Sequence, residues 1–335
     1  MSAPATLARC RDLVTPALQA AVDRLDRASR EQSRYHLGWT GLDGSPGPGA
    51  GKAVRPALAL LSAEAAGADA AAGLPGAVAV ELVHNFSLLH DDLMDGDTER
   101  RHRPTVWARW GAPSAILAGD GMLAVAVEVL LEADSPHAAS AAHLLSATVR
   151  ELVRGQVEDV AFEGRTDVGV QECLDMAAGK TGSLLATSAS IGAVLAGAPA
   201  LVTTALHTFG GELGAAFQLV DDLLGIWGDP AVTGKPVLSD LRSRKKSLPV
   251  TYAVNHGGAD GRELAAWLAG TTEPTDAELL RAAALVEAGG GREWAAAEAR
   301  RRLALAEKAL AGADLPDRPR AELVALGRYL AIREF

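Results

Sequence analysis

The stretch AVAVELVHNFSLLHDDLMD, residues 77–95, decides the fold. Its apolar residues recur at spacings of three and four, which is the period of a helix with one buried face. The run ends in His90-Asp91-Asp92-Leu93-Met94-Asp95. On a helix, Asp91 and Asp95 stand one turn apart on the same face, with Asp92 about 100° round the axis. Carboxylates held so close repel one another unless a cation sits between them, and hard oxygen ligands suit Mg²⁺ shared with a substrate phosphate. A plainer reading makes this the end of a helix fraying into the loop that holds Gly96, Asp97 and Glu99.

The same periodicity continues through LVTPALQAAVDRL (13–25), VRPALALLSAEAA (54–66) and LLSATVRELVRGQVEDVAF (144–162). It returns in WAAAEARRRLALAEKALA (294–311) and AELVALGRYLAI (321–332). No sustained apolar/polar alternation bounded by turn residues is present, so no strand is expected. Gly- and Pro-rich stretches at 41–51, 96–104, 228–236 and 257–261 read as loops between helices. The expectation is one large all-α domain over residues 1–335.

Composition narrows the function. Among 335 residues, Lys and Arg number 32 against 42 Asp and Glu, a net charge of −10, which opposes any role in coating nucleic acid. Hydrophobic residues at 48% and charged residues at 22% describe a chain able to build a core. Two cysteines, Cys10 and Cys173, make neither a disulfide framework nor a metal cluster, and the N-terminus lacks a signal-peptide core. A cytoplasmic location follows as an expectation. Residues Thr181 to Leu206 carry no formal charge, but they are small and weakly apolar, which suits a buried helix better than a membrane span. The loop GSPGPGAGKAVRP (44–56) fails as a phosphate-binding loop, because Pro46 and Ala53 stand where Gly and Ser or Thr are needed.

A second acidic pair repeats the first. Gln218-Leu219-Val220-Asp221-Asp222-Leu223-Leu224-Gly225 also ends an apolar helix before a Gly/Pro/Asp loop. Two such helix ends facing each other across a bundle would bind several divalent ions. Basic residues accompany both: Lys52 and Arg55, Arg100 and Arg101, Lys180, then Lys235, Lys245 and Lys246. Cations beside carboxylate pairs suit a diphosphate bound with metal.

On these motifs the chain resembles the trans-polyprenyl diphosphate synthases. The matching blocks run in order: GKAVRP (51–56), ELVHNFSLLHDDLMD (81–95), RRHRPT (100–105), ILAGD (116–120), GQVED (155–159), GKTGSLL (179–185), FQLVDDLLG (217–225) and GKPVLSDLRSRKKSLP (234–249). The resemblance implies an isoprenoid-synthase helical bundle around a central apolar cavity, and a homodimer. It implies three Mg²⁺, with Asp91 and Asp95 as ligands of two, Asp221 of the third, and Asp92 and Asp222 in support. Arg100, Lys180, Thr181, Gln218, Lys235 and Lys245 match the positions that hold the allylic diphosphate, with Lys246 able to share the role of Lys245. Lys52, Arg55, His84 and Arg101 match the pocket for isopentenyl diphosphate.

Two departures stand out. Gly225 replaces the third Asp of the second motif, and RRHRP replaces the commoner RRGxP, leaving His102 without a role. Product length is expected to depend on Phe86 and Ser87; Phe86 lies five residues, about 7.5 Å of helix, before Asp91. A single aromatic there resembles producers of geranylgeranyl diphosphate, with farnesyl diphosphate as the alternative. A class I terpene cyclase would share the acidic motifs but has no second diphosphate for Lys52, Arg55, His84 and Arg101. A non-catalytic partner subunit would be expected to lose the Asp pairs that this chain keeps.

Overall fold

The computed structural model describes residues 2–47, 49, 51–229 and 237–331. They fall into two compact units, each assembled from separate stretches of chain. The first takes the residues up to Val149, Thr187–His207 and Leu310–Ala325; the second takes Arg150–Ala186, Thr208–Ala309 and the residues from Leu326 onward.

The first unit is built around α4 (Leu74–Met94), which packs against α1 (Ala3–Val22), α3 (Val54–Ala65) and α6 (Ala112–Leu131). Helix α4 opens with Pro75 in its first turn, where a missing N–H costs nothing. Its buried face is Ala77, Val78, Val80, Leu82, Val83, Phe86 and Leu89. Such apolar burial stabilises by roughly 1.5–3 kcal/mol per large side chain. Gly76 and Gly192 carry no side chain for a packing reason: a Cβ at Gly76 would stand 2.8 Å from Ile191, and one at Gly192 2.6 Å from the Ser62 hydroxyl. Short α2 (Arg27–His36), α5 (Val106–Trp110) and α10 (Ile191–Leu195) complete the unit with the first half of α7 (Ala138–Glu163).

Helix α4 ends where the acidic motif begins to matter. Gly96 adopts φ +71°, and the N–H of Asp97 donates to the carbonyl of Asp92 at 2.9 Å. This left-handed glycine closure stops the helix cleanly. A two-residue hairpin follows, β1 (Glu99–Arg100) against β2 (Arg103–Pro104), which periodicity gave no means of seeing. Its turn residues Arg101 and His102 sit at φ +52° and +58°. Both central residues are left-handed, as a tight hairpin requires, and this is the position where the commoner motif has glycine. Holding a side chain there costs of order 1 kcal/mol per residue.

The second unit holds the other half of α7, then α8 (Val170–Ala177), a five-residue π-helical turn (Ala178–Gly182) and α9 (Ser183–Ser188). Long α11 (Ala200–Trp227) contributes from Thr208 onward, followed by α12 (Ser239–Arg242), α13 (Leu248–His256), α14 (Gly258–Leu268), α15 (Asp276–Ala288) and α16 (Gly291–Ala311). Helix α17 (Asp317–Ala331) starts in the first unit and ends in the second. One core gathers Phe162, Cys173, Met176, Leu219 and Leu223; another gathers Ile226, Leu241, Val250, Leu264, Leu279 and Val286.

The uncharged stretch 181–206 corrects one expectation. Its interior is buried, but it is not one helix: it breaks after Ser188, and again at Gly197, whose φ is +70°, and Pro199. Two other helical stretches, Ala70–Met94 and Ala112–Leu131, are long and apolar enough to cross a membrane by length and composition, and two-thirds of the first is buried within the protein. Both cysteines are buried thiols, pushed up to about 11 by that burial.

Candidate active site

At the end of α4 the three aspartates differ in surroundings. Asp92 is 1% exposed, and its Oδ1 accepts from Arg100 Nε at 2.7 Å and from the terminal guanidinium nitrogen at 2.6 Å. Burial pushes the Asp92 carboxyl up to about 6 against the pull of Arg100. Its Oδ2 is buried without a hydrogen-bond partner among the described residues. Asp91 is half-buried and Asp95 exposed, one turn apart as the spacing predicts; the Asp95 N–H donates to the Asp91 carbonyl at 2.8 Å.

The residues matched to a second diphosphate pocket gather on the same side of α4. The Arg101 guanidinium packs over Gly51, where a Cβ would stand 3.1 Å away, so the hairpin tip meets the segment that carries exposed Lys52. Arg55 lies in the field of Glu81, and burial lowers its basicity; its Nε is buried with no acceptor among the described residues. His84 is held well below its ordinary value, first by burial and then by Arg55 and Arg101, so its ring is neutral. His36, at the end of α2, is likewise driven down to about 3 by burial and by Arg100, Arg101 and Arg103.

Arg103 was not among the expected site residues, yet it fixes this pocket. Its guanidinium donates to the carbonyls of Tyr35 (3.0 Å) and Thr40 (2.7 Å) and lies 3.9 Å from the centre of the Tyr35 ring. The Tyr35 hydroxyl in turn donates to the Pro104 carbonyl at 2.9 Å. The hairpin bearing Arg100 and Arg101 is thereby clamped to α2. The only signal in the sequence was a third arginine in RRHRP.

In the second unit, Asp222 is 4% exposed and fully engaged: Oδ1 accepts from Gln218 Nε2 and Oδ2 from the Leu248 N–H, both at 2.8 Å. Burial pushes its carboxyl up to about 7, opposed by Lys245. Asp221 beside it is exposed. Gln218 also accepts from the Thr181 hydroxyl at 2.7 Å, so two matched residues on different helices form one chain of hydrogen bonds. Lys245 lies in the field of Asp159, Asp222, Asp240 and Asp221, which hold it more firmly protonated despite burial. Lys246 turns elsewhere and donates to the Glu163 carbonyl at 2.7 Å. Lys235 lies outside the described residues.

Lys180 pairs with Asp159 at 2.5 Å, and Lys245 and Lys180 keep the Asp159 carboxylate ionised against burial. Asp159 comes from the GQVED block, to which no role had been given. Gly155 of that block packs directly on the backbone of Lys180, and a Cβ at Gly179 would stand 2.9 Å from the Glu151 carbonyl. Gly214 meets the Cα of Gly182 the same way, at 2.7 Å. Glycines on three segments thus let backbones approach closely enough to aim Lys180 and Thr181. The π-helical turn that carries both residues is a feature often found at functional sites.

Among the described residues, no three acidic or histidine side chains within reach of one another make a ready metal site. That matches the chemistry of Mg²⁺, which takes one or two carboxylates and fills its octahedron with phosphate oxygens and water. The donors fit that ion: both helix ends offer only hard carboxylate oxygens, and Asp92 Oδ2 is a buried acceptor without a described partner.

Phe86 and Ser87 lie one helical turn and more below Asp91. Phe86 is 6% exposed and meets His90 edge-on at 5.1 Å, while the Ser87 hydroxyl donates to the His84 carbonyl at 2.9 Å. His90 in turn fills the space beside Gly119, where a Cβ would collide with its ring.

Comparison with known proteins places these features in context. The sequence matches the family profile described as polyprenyl synthetase over residues 48–286. It is 57% identical over 332 residues to the (2E,6E)-farnesyl diphosphate synthase of Mycobacterium tuberculosis H37Rv, covering 98% of this chain and 92% of that protein. It is 44% identical over 333 residues to the geranylgeranyl diphosphate synthase of the same strain, covering 98% and 94%. The crystal structure of a polyprenyl synthetase from Streptomyces coelicolor A3(2) superposes with a TM-score of 0.94 at 52% identity, covering 98% of this chain and 99% of that one.

Proposed function

Because this chain belongs to the polyprenyl synthetase family, whose members are prenyltransferases of all-α fold, we propose that it condenses isopentenyl diphosphate with an allylic diphosphate to make a short-chain all-trans product. The observation that carries this reading is the grouping of Arg55, neutral His84 and Arg101 beside the Asp91–Asp95 helix end. A site with metal-binding carboxylates needs that second set of cations only if a second diphosphate must be held. A cyclase has no such need. A non-catalytic subunit would have no reason to keep both acidic helix ends.

Three Mg²⁺ neutralise the allylic diphosphate as it leaves, when Asp91 and Asp95 hold two of them and Asp221 the third. Asp92 and Asp222 support their outward neighbours, Asp92 through Arg100 and Asp222 through Gln218 and the Leu248 N–H. Arg100, Lys180, Thr181, Gln218, Lys235 and Lys245 bind the allylic diphosphate oxygens. Lys52, Arg55, His84 and Arg101 hold isopentenyl diphosphate so that its double bond meets the allylic carbon in near-attack geometry. Heterolysis of the C–O bond gives an allylic carbocation; the double bond attacks it, and loss of a proton to the departing diphosphate restores neutrality. The apolar face of α4 keeps water from that cation.

The family match runs through both compact units, which supports one catalytic domain over residues 1–335. A homodimer is supported by the apolar surface of α6, where Ile116, Leu117 and Leu131 are 42%, 64% and 57% exposed. With no nucleic-acid-binding charge and no cofactor beyond Mg²⁺ required, we place the enzyme in the cytoplasm.

The product is geranylgeranyl diphosphate, on the ground that Phe86 is the single aromatic below Asp91 and that Ser87 leaves room beside it. The 57% identical farnesyl diphosphate synthase favours a second reading, a C15 product. Incubating the purified protein with Mg²⁺, isopentenyl diphosphate and dimethylallyl, geranyl or farnesyl diphosphate decides between them by product mass. A C20 product that lengthens in Phe86→Ala supports the first reading, and a C15 stop the second. Release of a cyclic hydrocarbon, or no elongation at all, overturns the assignment.

A further inference from the structure

Gly225 is the one place where the second acidic motif lacks a carboxylate, and the structure shows what stands there instead. A Cβ built on Gly225 would fall within the carboxyl group of Asp240, in closer contact with all three of its carboxyl atoms than real side chains allow. Asp240 lies 15 positions further along the chain (240 − 225), in α12. Gly225 has an ordinary negative φ, so backbone conformation does not explain the glycine; the occupied space does.

Position 225 is one helical turn beyond Asp221 on the same face of α11, as Asp95 is beyond Asp91 on α4. A carboxylate at that spot therefore stacks on Asp221 as Asp95 stacks on Asp91. The surroundings hold Asp240 in place: the Ser239 hydroxyl lies 3.3 Å from the Gly225 carbonyl and 3.4 Å from Asp240 Oδ1. The Lys245 N–H donates to the Asp240 carbonyl at 2.8 Å. Asp240 is also close enough to act electrostatically on both Asp222 and Lys245.

From this geometry we infer that Asp240 supplies the third carboxylate of the second acidic centre, doing from α12 what an Asp at position 225 would do from α11. The two positions are alternatives, since one volume cannot hold both side chains and two carboxylates pressed together repel. The inference rests on the Mg²⁺ reading above, and it makes Asp240 a residue that binds or positions the ion associated with Asp221.

The test is a relocation of the charge, read as Mg²⁺ binding rather than turnover. Full-length protein is titrated with Mg²⁺ in the presence of inorganic pyrophosphate, by calorimetry and by the rise in melting temperature. Asp240→Asn keeps the shape, removes the charge, and is expected to weaken Mg²⁺ by about 10- to 100-fold. Gly225→Asp alone is expected to weaken it comparably, through collision with Asp240. Gly225→Asp combined with Asp240→Ala is expected to recover to within about threefold of wild type, a coupling between neighbours far outside additivity. Asp91→Asn is the control for the metal reading itself. If Asp91→Asn loses Mg²⁺ while Asp240→Asn binds like wild type, the inference fails and the proposed function stands. A double variant no better than the worse single one also overturns the inference. If wild type shows no Mg²⁺-dependent response, the proposed function fails with it.

Discussion

The two acidic helix ends share a division of labour and differ in how it is enforced. In each tandem pair one aspartate is buried and bonded, Asp92 or Asp222, while its neighbour Asp91 or Asp221 is more exposed. A charged side chain, Arg100, secures the buried member on α4. On α11 neutral donors do so, Gln218 and a backbone N–H, with Lys245 acting over a longer range. The first arrangement ties the carboxylate to a hairpin that also carries substrate cations. The second ties it to the start of α13 and so to the packing of its own unit. A doubled aspartate is thus one group for the ion and one for its placement.

The largest effects should separate the members of each pair. Asp91→Asn is expected to lower kcat by about 10³-fold, as loss of a group that stabilises developing charge does. Asp92→Asn and Asp222→Asn are expected to cost about 10- to 100-fold, the usual range for residues that orient a ligand. Steady-state kinetics across the three variants would break the comparison if Asp92→Asn were as damaging as Asp91→Asn.

Gly155→Ala probes the second unit alone. Its new methyl meets the Lys180 backbone, with an expected cost of about 1–3 kcal/mol from overpacking. Urea denaturation would measure the loss, and a rise in KM for the allylic substrate would show that Lys180 had moved.

Acid should act on the first unit before the second. Buried His36 stays neutral in the folded state to about pH 3, whereas in the unfolded chain it takes a proton near pH 6.5. Its contribution is therefore intact above that value and is lost as pH falls, by up to about 2 kcal/mol at pH 5. His84 adds in the same direction. Hydrogen exchange at pH 7 and pH 5 is expected to show protection lost first around α2, α4 and the hairpin. Equal loss around α11 would remove the distinction.

Much of this was legible in the sequence, because the signals were periodic or contiguous. Three- and four-residue spacing gave the helices, and both Asp pairs sit on terminal turns of buried helices as their spacing required. What escaped notice depends on close approach between distant segments. Nothing near Gly155 in the chain says that Lys180 will lie against it, and nothing near Gly225 points to Asp240. The hairpin at 99–104 was hidden because His102 occupies a left-handed position where glycine would have announced a turn. The stretch 181–206 looked continuous because its lack of charge is uniform, while Gly197 and Pro199 divide it.

The π-helical turn at Ala178–Gly182 has a consequence for how this chain can change over generations. Such a turn spends one more residue on its circuit than an α-helical one. A deletion of a single codon within it would leave a helix good enough to fold. Yet every residue on one side would be rotated by about 100° against the other, and Lys180 and Thr181 would lose their common aim. Point substitutions can explore the rest of these helices one side chain at a time. At this turn the length of the chain is itself under selection, and an insertion or deletion acts like a frameshift in three dimensions.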